Sequence, residues 1–307
     1  MLLLGFVLLI KGADVFVGSS VSIAHKLKIP PIIIGLTIVA MGTGAPEVVI
    51  SVTAALRGGG SLAISNIIGS NSFNLMFIIG LCAVIKAIAI DIRVISKDFL
   101  LSIFGTVALL IFMLVFNQYI PRLASLFLLV AFIVYLALLI RKAHNSKQEI
   151  EEDAPKEFRP LPVLALIAVV SCVFIVIGGQ LVVDNATQIA LAIGITERII
   201  GLTIVAMGTS LPELVTSLVA CKKGENEFAL GNLIGSNIFN ILFILGLSGL
   251  ITPLEFDSAL IIDASFLIAG SLLAFVFALS RKVISRREGF IMVTLYSGYI
   301  IAVTLFL

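Results

Sequence analysis

The chain has 307 residues, of which 60% are hydrophobic and only 12% are charged, and its mean hydropathy is +1.21. Because soluble domains carry about 25% charged residues, this composition excludes a soluble globular protein and predicts an integral membrane protein. The formal net charge of +2 is close to neutral, and the three cysteines lie in apolar runs without the spacing of a metal or disulfide site.

Apolar runs long enough to cross a bilayer predict five spanning helices in the first half of the chain. The first contains Lys11 and Asp14, which lie one helical turn apart, so they either neutralise each other as an ion pair or extend their charged ends toward the membrane surface. A polar connection, 86–98, separates the third helix from the fourth. The predicted helices have the approximate bounds 2–24, 30–56, 62–85, 99–116 and 123–140.

A hydrophilic segment, 143–159, divides the chain into a first repeat at 1–142 and a second repeat at 160–307. Its acidic cluster lacks the ordered alternation and the glycine of a calcium loop, so we interpret the segment as a solvated linker. The second repeat again predicts five spanning helices, the first of them either split or overlong. Their approximate bounds are 161–193, 198–221, 228–250, 259–279 and 289–306.

Two copies of one motif, at 35–81 and 201–247, align with a constant offset of 166 residues. From Gly35 to Gly80, 26 of 46 positions are identical to the second copy. Each copy carries a Pro-Glu pair, which supplies Glu47 in the first and Glu213 in the second, and later the sequence Gly-Ser-Asn-x-Phe-Asn. An internal duplication of this kind predicts two structurally equivalent halves.

Both copies carry a helix break directly before the glutamate. The break reads Gly-Thr-Gly-Ala-Pro at 42–46 and Gly-Thr-Ser-Leu-Pro at 208–212. Proline has no N–H group for a helical hydrogen bond, so carbonyl groups near Ala40 are left free. Inside a membrane such groups must face protein, water or an ion. The second and seventh helices are therefore predicted to be broken at an ion site.

Lysine and arginine residues are distributed unequally between the predicted loops. If the N-terminus lies outside, the cytoplasmic loops hold sixteen of them and the opposite loops hold three, Arg57, Arg122 and Arg198. This bias predicts that both termini are extracellular and that the linker 143–159 is cytoplasmic. Because each half has five helices, the halves enter the membrane in opposite directions. This all-α architecture of ten helices in two inverted repeats is typical of secondary transporters, which bind their ions near the midplane.

Glu47 and Glu213 both fall about sixteen residues into a spanning helix, near the middle of the bilayer. A carboxylate at this depth costs several kcal/mol unless it is paired, hydrated or protonated, so a duplicated one indicates a shared cation. The nearby hydroxyl and amide oxygens fit Ca²⁺ or Na⁺, whereas the absence of neighbouring histidine argues against Zn²⁺ or Cu²⁺. The candidate donors are Thr43, Thr209, Ser210, Ser70, Ser236, Asn74 and Asn240.

The remaining polar residues of the motif have an ordinary structural interpretation. Ser and Thr hydroxyls in spanning helices often bond to their own helix, and asparagine amides join neighbouring helices. This role is expected for Asn66, Asn71, Asn232 and Asn237.

The sequences Gly-Thr-Gly-Ala-Pro-Glu with Gly-Ser-Asn-Ser-Phe-Asn, and Gly-Thr-Ser-Leu-Pro-Glu with Gly-Ser-Asn-Ile-Phe-Asn, resemble the two alpha-repeats of the sodium/calcium exchanger family. The resemblance is to the prokaryotic type within the calcium/cation antiporter superfamily. It implies alternating access in which helices 1 and 6 slide past the other eight. It also implies that Glu47 and Glu213 are central Ca²⁺ ligands shared with Na⁺. The further groups that it implies are Thr43, Thr209, Ser210, Ser70 and Ser236, the carbonyl groups of Ala40 and Ala206, and Asn74 and Asn240 in the middle of the site.

Two positions depart from the pattern of that family. Gly44 aligns with Ser210, where relatives commonly have serine in both copies, so one side-chain oxygen for Na⁺ is missing. Asn240 stands where some relatives, including the potassium-dependent branch, have aspartate, which disfavours potassium co-transport. The Gly-Asn-x-x-Glu signature of cation/proton exchangers is absent, since Pro46 and Pro212 precede the glutamates.

The leading hypothesis is a secondary antiporter in a cell membrane that exchanges Na⁺ for Ca²⁺. Two carboxylates neutralise one Ca²⁺ or host Na⁺ but do not hold a full load of both, so the ions compete. The alternative is an exchanger of H⁺ for Ca²⁺ or another divalent cation. A cation channel is disfavoured by the internal, inverted symmetry, and an enzyme by the lack of a nucleophile–base pair near the glutamates. Ca²⁺, Na⁺ and membrane lipid are the expected partners, with no cofactor, nucleic acid or obligate protein partner.

Overall fold

The computed structural model describes residues 1–89, 92–116, 119–145, 159–194 and 206–306, and these are almost entirely helical. Most of the predicted linker, 146–158, lies outside the described residues. So do residues 195–205, which include the start of the predicted seventh helix and of the second motif copy.

The described residues form fifteen α-helices. The α-helices are α1 (Leu2–Leu27), α2 (Pro31–Ile34), α3 (Ala40–Thr43), α4 (Ala45–Leu56), α5 (Gly60–Ser72), α6 (Ile79–Ile85), α7 (Ile92–Phe116), α8 (Arg122–Asn145), α9 (Leu161–Ala192), α10 (Ala206–Gly208), α11 (Leu211–Lys223), α12 (Asn226–Ile238), α13 (Leu245–Ile251), α14 (Ala259–Arg281) and α15 (Arg286–Phe306). Within the described ranges, three π-helical segments continue these helices, at Gly35–Val39, Phe73–Ile78 and Phe239–Ile244.

Two pairs of very short antiparallel strands join loops that are distant in the sequence. The strand β1 (Ile88–Ala89) pairs with β4 (Val283–Ile284), and β2 (Tyr119–Ile120) pairs with β3 (Leu254–Glu255). Strands of two residues carry no periodicity, so they could not be predicted from the sequence.

Eight of the described helical runs are long and apolar enough to cross a membrane, or nine if Pro31–Thr43 and Ala45–Leu56 form one bent span. In the most apolar part of α9, 28% of the residues are buried, so most of this surface is apolar and exposed, as lipid contact requires. The runs Gly60–Ile85 and Asn226–Ile251 carry the Gly-Ser-Asn motifs, and 78% of the residues in the most apolar part of each are buried. The motif helices are thus the most enclosed spans of the described chain.

The chain divides into two compact units. Unit 1 comprises Met1–Thr43 and Tyr135–Leu233. In it α1 packs along α9, and a Cβ atom added to Gly178 would lie 2.7 Å from the backbone nitrogen of Leu9, so only glycine allows this approach. The helix α9 is continuous from Leu161 to Ala192, which shows that the predicted sixth helix is overlong and not split.

A second close helix contact in unit 1 joins the two motif copies. A Cβ atom on Gly35 would lie 2.7 Å from the carbonyl oxygen of Phe228, and one on Gly231 would lie 2.6 Å from that of Ile32. The absence of side chains at both glycines lets the two backbones touch, and this contact holds the end of α2 and the start of the following π-helical segment beside α12.

The acidic side chain of α1 has a different partner from the one predicted. The Nζ atom of Lys223 lies 2.9 Å from Oδ1 of Asp14 and also donates to the carbonyl oxygen of Asp14 at 2.7 Å. Among the described residues Lys11 forms no ion pair. The predicted Lys11–Asp14 pair is therefore wrong, because the end of α11 brings a second cation to α1 that the sequence spacing does not show.

Unit 2 comprises Gly44–Val134 and Ile234–Leu307. Its core contains equivalent aromatic pairs from both motif copies: Phe73 and Phe77 stack at 4.9 Å between ring centroids, and Phe239 and Phe243 stack at 4.8 Å. Such pairs add to the stability that their buried area provides. The two motif copies therefore pack their equivalent phenylalanine side chains in the same way.

Two features of unit 2 differ from the prediction. The helix α7 begins at Ile92 and Asp98 is buried, so the predicted polar connection 86–98 is wrong in its second half; the charged residues there belong to the start of a helix. The second feature is a contact between helices that the sequence did not predict: Asp263 in α14 accepts a hydrogen bond from the hydroxyl group of Tyr299 in α15 at 2.6 Å.

Candidate functional site

In unit 1 the carboxylate of Glu213 lies at the start of a helix. Glu213 is in the first turn of α11, directly after Pro212, and only 1% of its surface is exposed. Proline is tolerated there because the first turn of a helix lacks internal acceptors for its N–H groups. The same free N–H groups favour a negative charge. The local sequence therefore places a carboxylate where a helix end stabilises it.

Thr43, at the end of α3, lies against this glutamate. Its hydroxyl group contacts the Glu213 carboxylate, the carbonyl oxygen of Val39 at 3.0 Å and Oδ1 of Asn232 at 3.2 Å. The amide of Asn232 in turn donates to the hydroxyl oxygen of Ser217 at 3.1 Å. A continuous chain of polar contacts therefore runs through the buried part of unit 1 from α11 through α3 to α12 and back to α11.

Unit 2 repeats part of this arrangement around Glu47. Glu47 lies in the first turn of α4, and 1% of its surface is exposed. One helical turn further along α4, Ser51 accepts a hydrogen bond from the Asn66 amide at 3.1 Å. These two residues are the counterparts of Ser217 and Asn232 at the offset of 166, and the two bonds have the same length. The copies therefore fold alike at this point.

The Gly-Ser-Asn motifs supply the other predicted donors of unit 2. Ser70, Ser236, Asn74 and Asn240 are all buried. The oxygen atoms Oδ1 of Asn74 and Oδ1 of Asn240 have no hydrogen-bond partner among the described residues. A buried amide oxygen without a partner is costly unless an ion or water binds it.

The eleven predicted site residues are divided between the units. Within unit 1, the structure brings Thr43 and Glu213 together. Of Ala206 only the backbone is described, in the helical turn α10. Unit 1 holds Ala40, Thr43, Ala206, Thr209, Ser210 and Glu213, and unit 2 holds Glu47, Ser70, Asn74, Ser236 and Asn240.

The oxygen chemistry of these residues is that of a hard-cation site. Among the predicted site residues, each unit offers one buried carboxylate together with neutral hydroxyl and amide oxygens. Among the described residues no three His, Cys, Asp or Glu side chains form a cluster. Ca²⁺ and Na⁺ accept mixed oxygen donors of this type.

The sequence pattern did not reveal the roles of three of the four remaining asparagines. Asn71 and Asn237 bond to the amides of the predicted ligands, and Asn232 bonds to Thr43. The signal was present, since all belong to the duplicated motif, but polar residues of this kind also occur in simple helix–helix contacts. Asn66 alone has only the helix–helix bond that was expected.

Apolar spanning helices with a buried carboxylate in each of two sequence repeats define a multi-pass membrane transporter of cations. Residues 1–141 and 163–305 match the model of a protein family that is described as "Sodium/calcium exchanger protein". The chain belongs to the sodium/calcium exchanger family, as the motif resemblance predicted.

Several relatives are similar over nearly the whole chain. The sodium/calcium exchanger MaX1 of Methanosarcina acetivorans is 32% identical over 98% of this chain and 96% of its own. The inner membrane protein YrbG of Escherichia coli K12 is 34% identical over 84% of this chain and 81% of its own. The solved structure of the sodium-calcium exchanger NCX_Mj soaked with 10 mM Na⁺ and zero Ca²⁺ matches with a TM-score of 0.85 and 33% identity, over 100% of this chain and 97% of the other.

Proposed function

We propose that the protein exchanges Na⁺ for Ca²⁺ by alternating access, and that both ions compete for a midplane site built on Glu47 and Glu213. The observation that carries the proposal is the duplication of a buried carboxylate: each glutamate is 1% exposed and opens a helix directly after a proline. A buried carboxylate inside a membrane protein is costly unless a positive charge or a proton compensates it. A bound cation supplies this charge in both copies.

The remaining ligands follow from the same comparison of the two copies. The position of Thr43 supports its role as an ion ligand, because its hydroxyl group contacts both Glu213 and Asn232. Gly44 offers no side-chain oxygen, so the first copy provides one ligand fewer for Na⁺ than the second. The proposed ligands besides the glutamates are Thr43, Thr209, Ser210, Ser70, Ser236, Asn74, Asn240 and the carbonyl groups of Ala40 and Ala206.

The membrane arrangement belongs to the same proposal. Ten helices form two inverted repeats of five, with the second and seventh helices broken at the ion site, as the loop charges and the duplication indicate. Both termini are extracellular and the linker 143–159 is cytoplasmic. The interruption at Gly44 between α3 and α4 supports the first of the two breaks.

Tracer uptake tests the coupling ion. Purified protein is reconstituted into vesicles loaded with Na⁺, and the uptake of ⁴⁵Ca²⁺ is measured after dilution into Na⁺-free medium. We expect uptake that requires the outward Na⁺ gradient and stops when Na⁺ is equal on both sides. Uptake that ignores Na⁺ but follows an imposed proton gradient would replace the proposal with H⁺/Ca²⁺ exchange. Flux without counter-transport would indicate a channel.

The variant Glu213→Gln tests the role of the carboxylate in the same assay. Because an amide keeps the size of the side chain but lacks its charge, we expect Ca²⁺ uptake to fall to the background of empty vesicles. Glu255→Gln, at an exposed position in β3, is the matched control and should transport like the wild type. Near-normal exchange by Glu213→Gln would show that the site is assigned wrongly.

A further inference from the structure

The two Gly-Ser-Asn motifs meet in a closed ring of hydrogen bonds inside unit 2. The side-chain amide of Asn71 donates to the carbonyl oxygen of Asn237 at 3.1 Å, and the amide of Asn237 donates to the carbonyl oxygen of Asn71 at 3.2 Å. Both side chains are fully buried. The two bonds are related by the offset of 166 and form a reciprocal pair.

This reciprocal pair fixes which end of each amide faces which neighbour. A backbone carbonyl only accepts hydrogen bonds, so the group of Asn71 that faces the Asn237 carbonyl must be its NH₂. The other end of the Asn71 amide is then its oxygen atom. The same reasoning orients Asn237. The two side chains thus each present one oxygen at a defined position.

Each of these oxygens accepts a hydrogen bond from a predicted ion ligand. The amide of Asn240 donates to Oδ1 of Asn71 at 3.0 Å, and the amide of Asn74 donates to Oδ1 of Asn237 at 3.1 Å. Since the NH₂ groups of Asn240 and Asn74 are held there, their oxygen atoms are directed elsewhere. Both oxygens are buried and have no hydrogen-bond partner among the described residues.

The backbone at this point is suited to the ring. A π-helical segment begins at Phe73, two residues after Asn71, and another begins at Phe239, two residues after Asn237. The wider turn of a π-helix disturbs the regular pairing of carbonyl groups with N–H groups four residues later. Carbonyl groups at the entry of such a segment are available to accept a side-chain amide.

We infer that Asn71 and Asn237 are positioning residues that orient the amides of Asn240 and Asn74 so that the two unpartnered oxygens serve as neutral ligands for the transported cation. The inference rests on the proposed function, since it identifies the ligand of these oxygens as Ca²⁺ or Na⁺. Each positioning residue acts on the ligand of the other motif copy: Asn71 acts on Asn240, and Asn237 acts on Asn74. Rotation of either amide would present NH₂ to the cation in place of oxygen.

A double-mutant cycle on Na⁺-driven ⁴⁵Ca²⁺ uptake tests this assignment. Leucine at position 71 or 237 has a similar size but neither donates nor accepts a hydrogen bond. We expect Asn71→Leu and Asn237→Leu each to raise the Ca²⁺ concentration for half-maximal uptake about tenfold. In an Asn240→Ala background the Asn71→Leu change should add nothing further, whereas in an Asn74→Ala background it should keep its full effect. Asn237→Leu should show the opposite dependence.

Thr106→Val is the matched control for loss of a buried polar group in unit 2. Thr106 is buried and donates only to the Ser102 carbonyl within its own helix, at 3.0 Å, so its replacement should leave the half-maximal Ca²⁺ concentration unchanged. If the leucine variants fail to give monodisperse protein, Asn71→Ser and Asn237→Ser remove the amide and carry the same cycle.

The outcomes separate the inference from the proposed function. Effects of Asn71→Leu that are equal in both backgrounds, or an unchanged half-maximal Ca²⁺ concentration in the single variants, would overturn the positioning role while wild-type transport stands. A wild-type protein without Na⁺-driven Ca²⁺ uptake would overturn the proposed function and this inference together.

Discussion

The hydroxyl group of Thr43 contacts Oδ1 of Asn232 at 3.2 Å, although 189 residues separate the two in the chain. Asn232 is itself held by its bond to Ser217, so its oxygen has a fixed direction. A hydroxyl group has one proton to donate, and Thr43 has three acceptors within reach, including Glu213. Its lone pairs therefore remain free for a cation whichever acceptor receives the proton.

Replacement of Asn232 by leucine is expected to destabilise the protein. The change removes one of the three acceptors near the Thr43 hydroxyl group and the donor to Ser217, and it leaves the buried Ser217 hydroxyl without that bond. We expect the free energy of unfolding to fall by about 1–3 kcal/mol. Thermal unfolding in detergent without Na⁺ or Ca²⁺ measures it. Ser271→Ala, which removes only a bond within α14, is the control. A variant Asn232→Leu as stable as the wild type would contradict the described contacts.

Serine at position 44 is expected to change the Na⁺ dependence of transport more than the affinity for Ca²⁺. Gly44 is buried and has φ −77° and ψ 5°, which any residue adopts, so the change Gly44→Ser introduces no backbone strain. The added hydroxyl group restores the oxygen that Ser210 provides in the second copy. A Na⁺ titration of ⁴⁵Ca²⁺ uptake should give a lower half-maximal Na⁺ concentration. Gly44 also precedes α4, where serine caps a helix; an unchanged Na⁺ titration with raised stability would show that the hydroxyl acts only as a cap.

The close contact at Gly35 in unit 1 predicts that two glycine-to-alanine changes, Gly35→Ala and Gly69→Ala, have very different effects on stability. In Gly35→Ala the new methyl group would overlap the Phe228 carbonyl and the backbone nitrogen of Asn232, at 2.7 and 2.9 Å. We expect a loss of about 1–3 kcal/mol in the free energy of unfolding. In Gly69→Ala the methyl group meets nothing within 4 Å, so stability should hold or rise because alanine favours helix. Equal stability of both variants in thermal unfolding would refute the close backbone contact.

Much of the local structure at the glutamates followed from the sequence because both copies carry the same signals. The Pro-Glu pair predicted a new helix start, and α4 and α11 each place their glutamate in the first turn. The offset of 166 predicted equivalent environments, and the bonds Asn66–Ser51 and Asn232–Ser217 have the same length. Both the Pro-Glu signal at each glutamate and the duplication can be read directly from the sequence.

Contacts between distant segments could not be predicted in the same way. The partner of Asp14 is Lys223, because the packing of α11 against α1 outweighs the proximity of Lys11 in the sequence. The π-helical segments have the same apolar pattern as α-helices, and the bond from Tyr299 to Asp263 joins two different helices. None of these features produces a distinctive periodic pattern in the sequence, so none could be predicted from it.

The Asp14–Lys223 ion pair is expected to contribute little to stability, but Asp14 should couple to Lys223 and not to Lys11. Both side chains are partly exposed, so the coupling free energy in a double-mutant cycle of Asp14→Asn and Lys223→Met should be about 0.2–1 kcal/mol. The same cycle with Lys11→Met should give no coupling. Thermal unfolding at low and high salt measures both cycles. Coupling of Asp14 to Lys11 in place of Lys223 would restore the pairing that the sequence spacing predicted.

We propose that Glu47 and Glu213 together bind Ca²⁺ at a site that Na⁺ also occupies. Equilibrium binding of ⁴⁵Ca²⁺ to the purified protein in detergent, with and without Na⁺, tests it most directly. We predict one saturable Ca²⁺ site from which Na⁺ displaces Ca²⁺, and the loss of that site in Glu47→Gln and in Glu213→Gln alike, while Glu255→Gln binds as the wild type does. Wild-type Ca²⁺ affinity in either glutamine variant, or Ca²⁺ binding that Na⁺ leaves unchanged, would contradict the account.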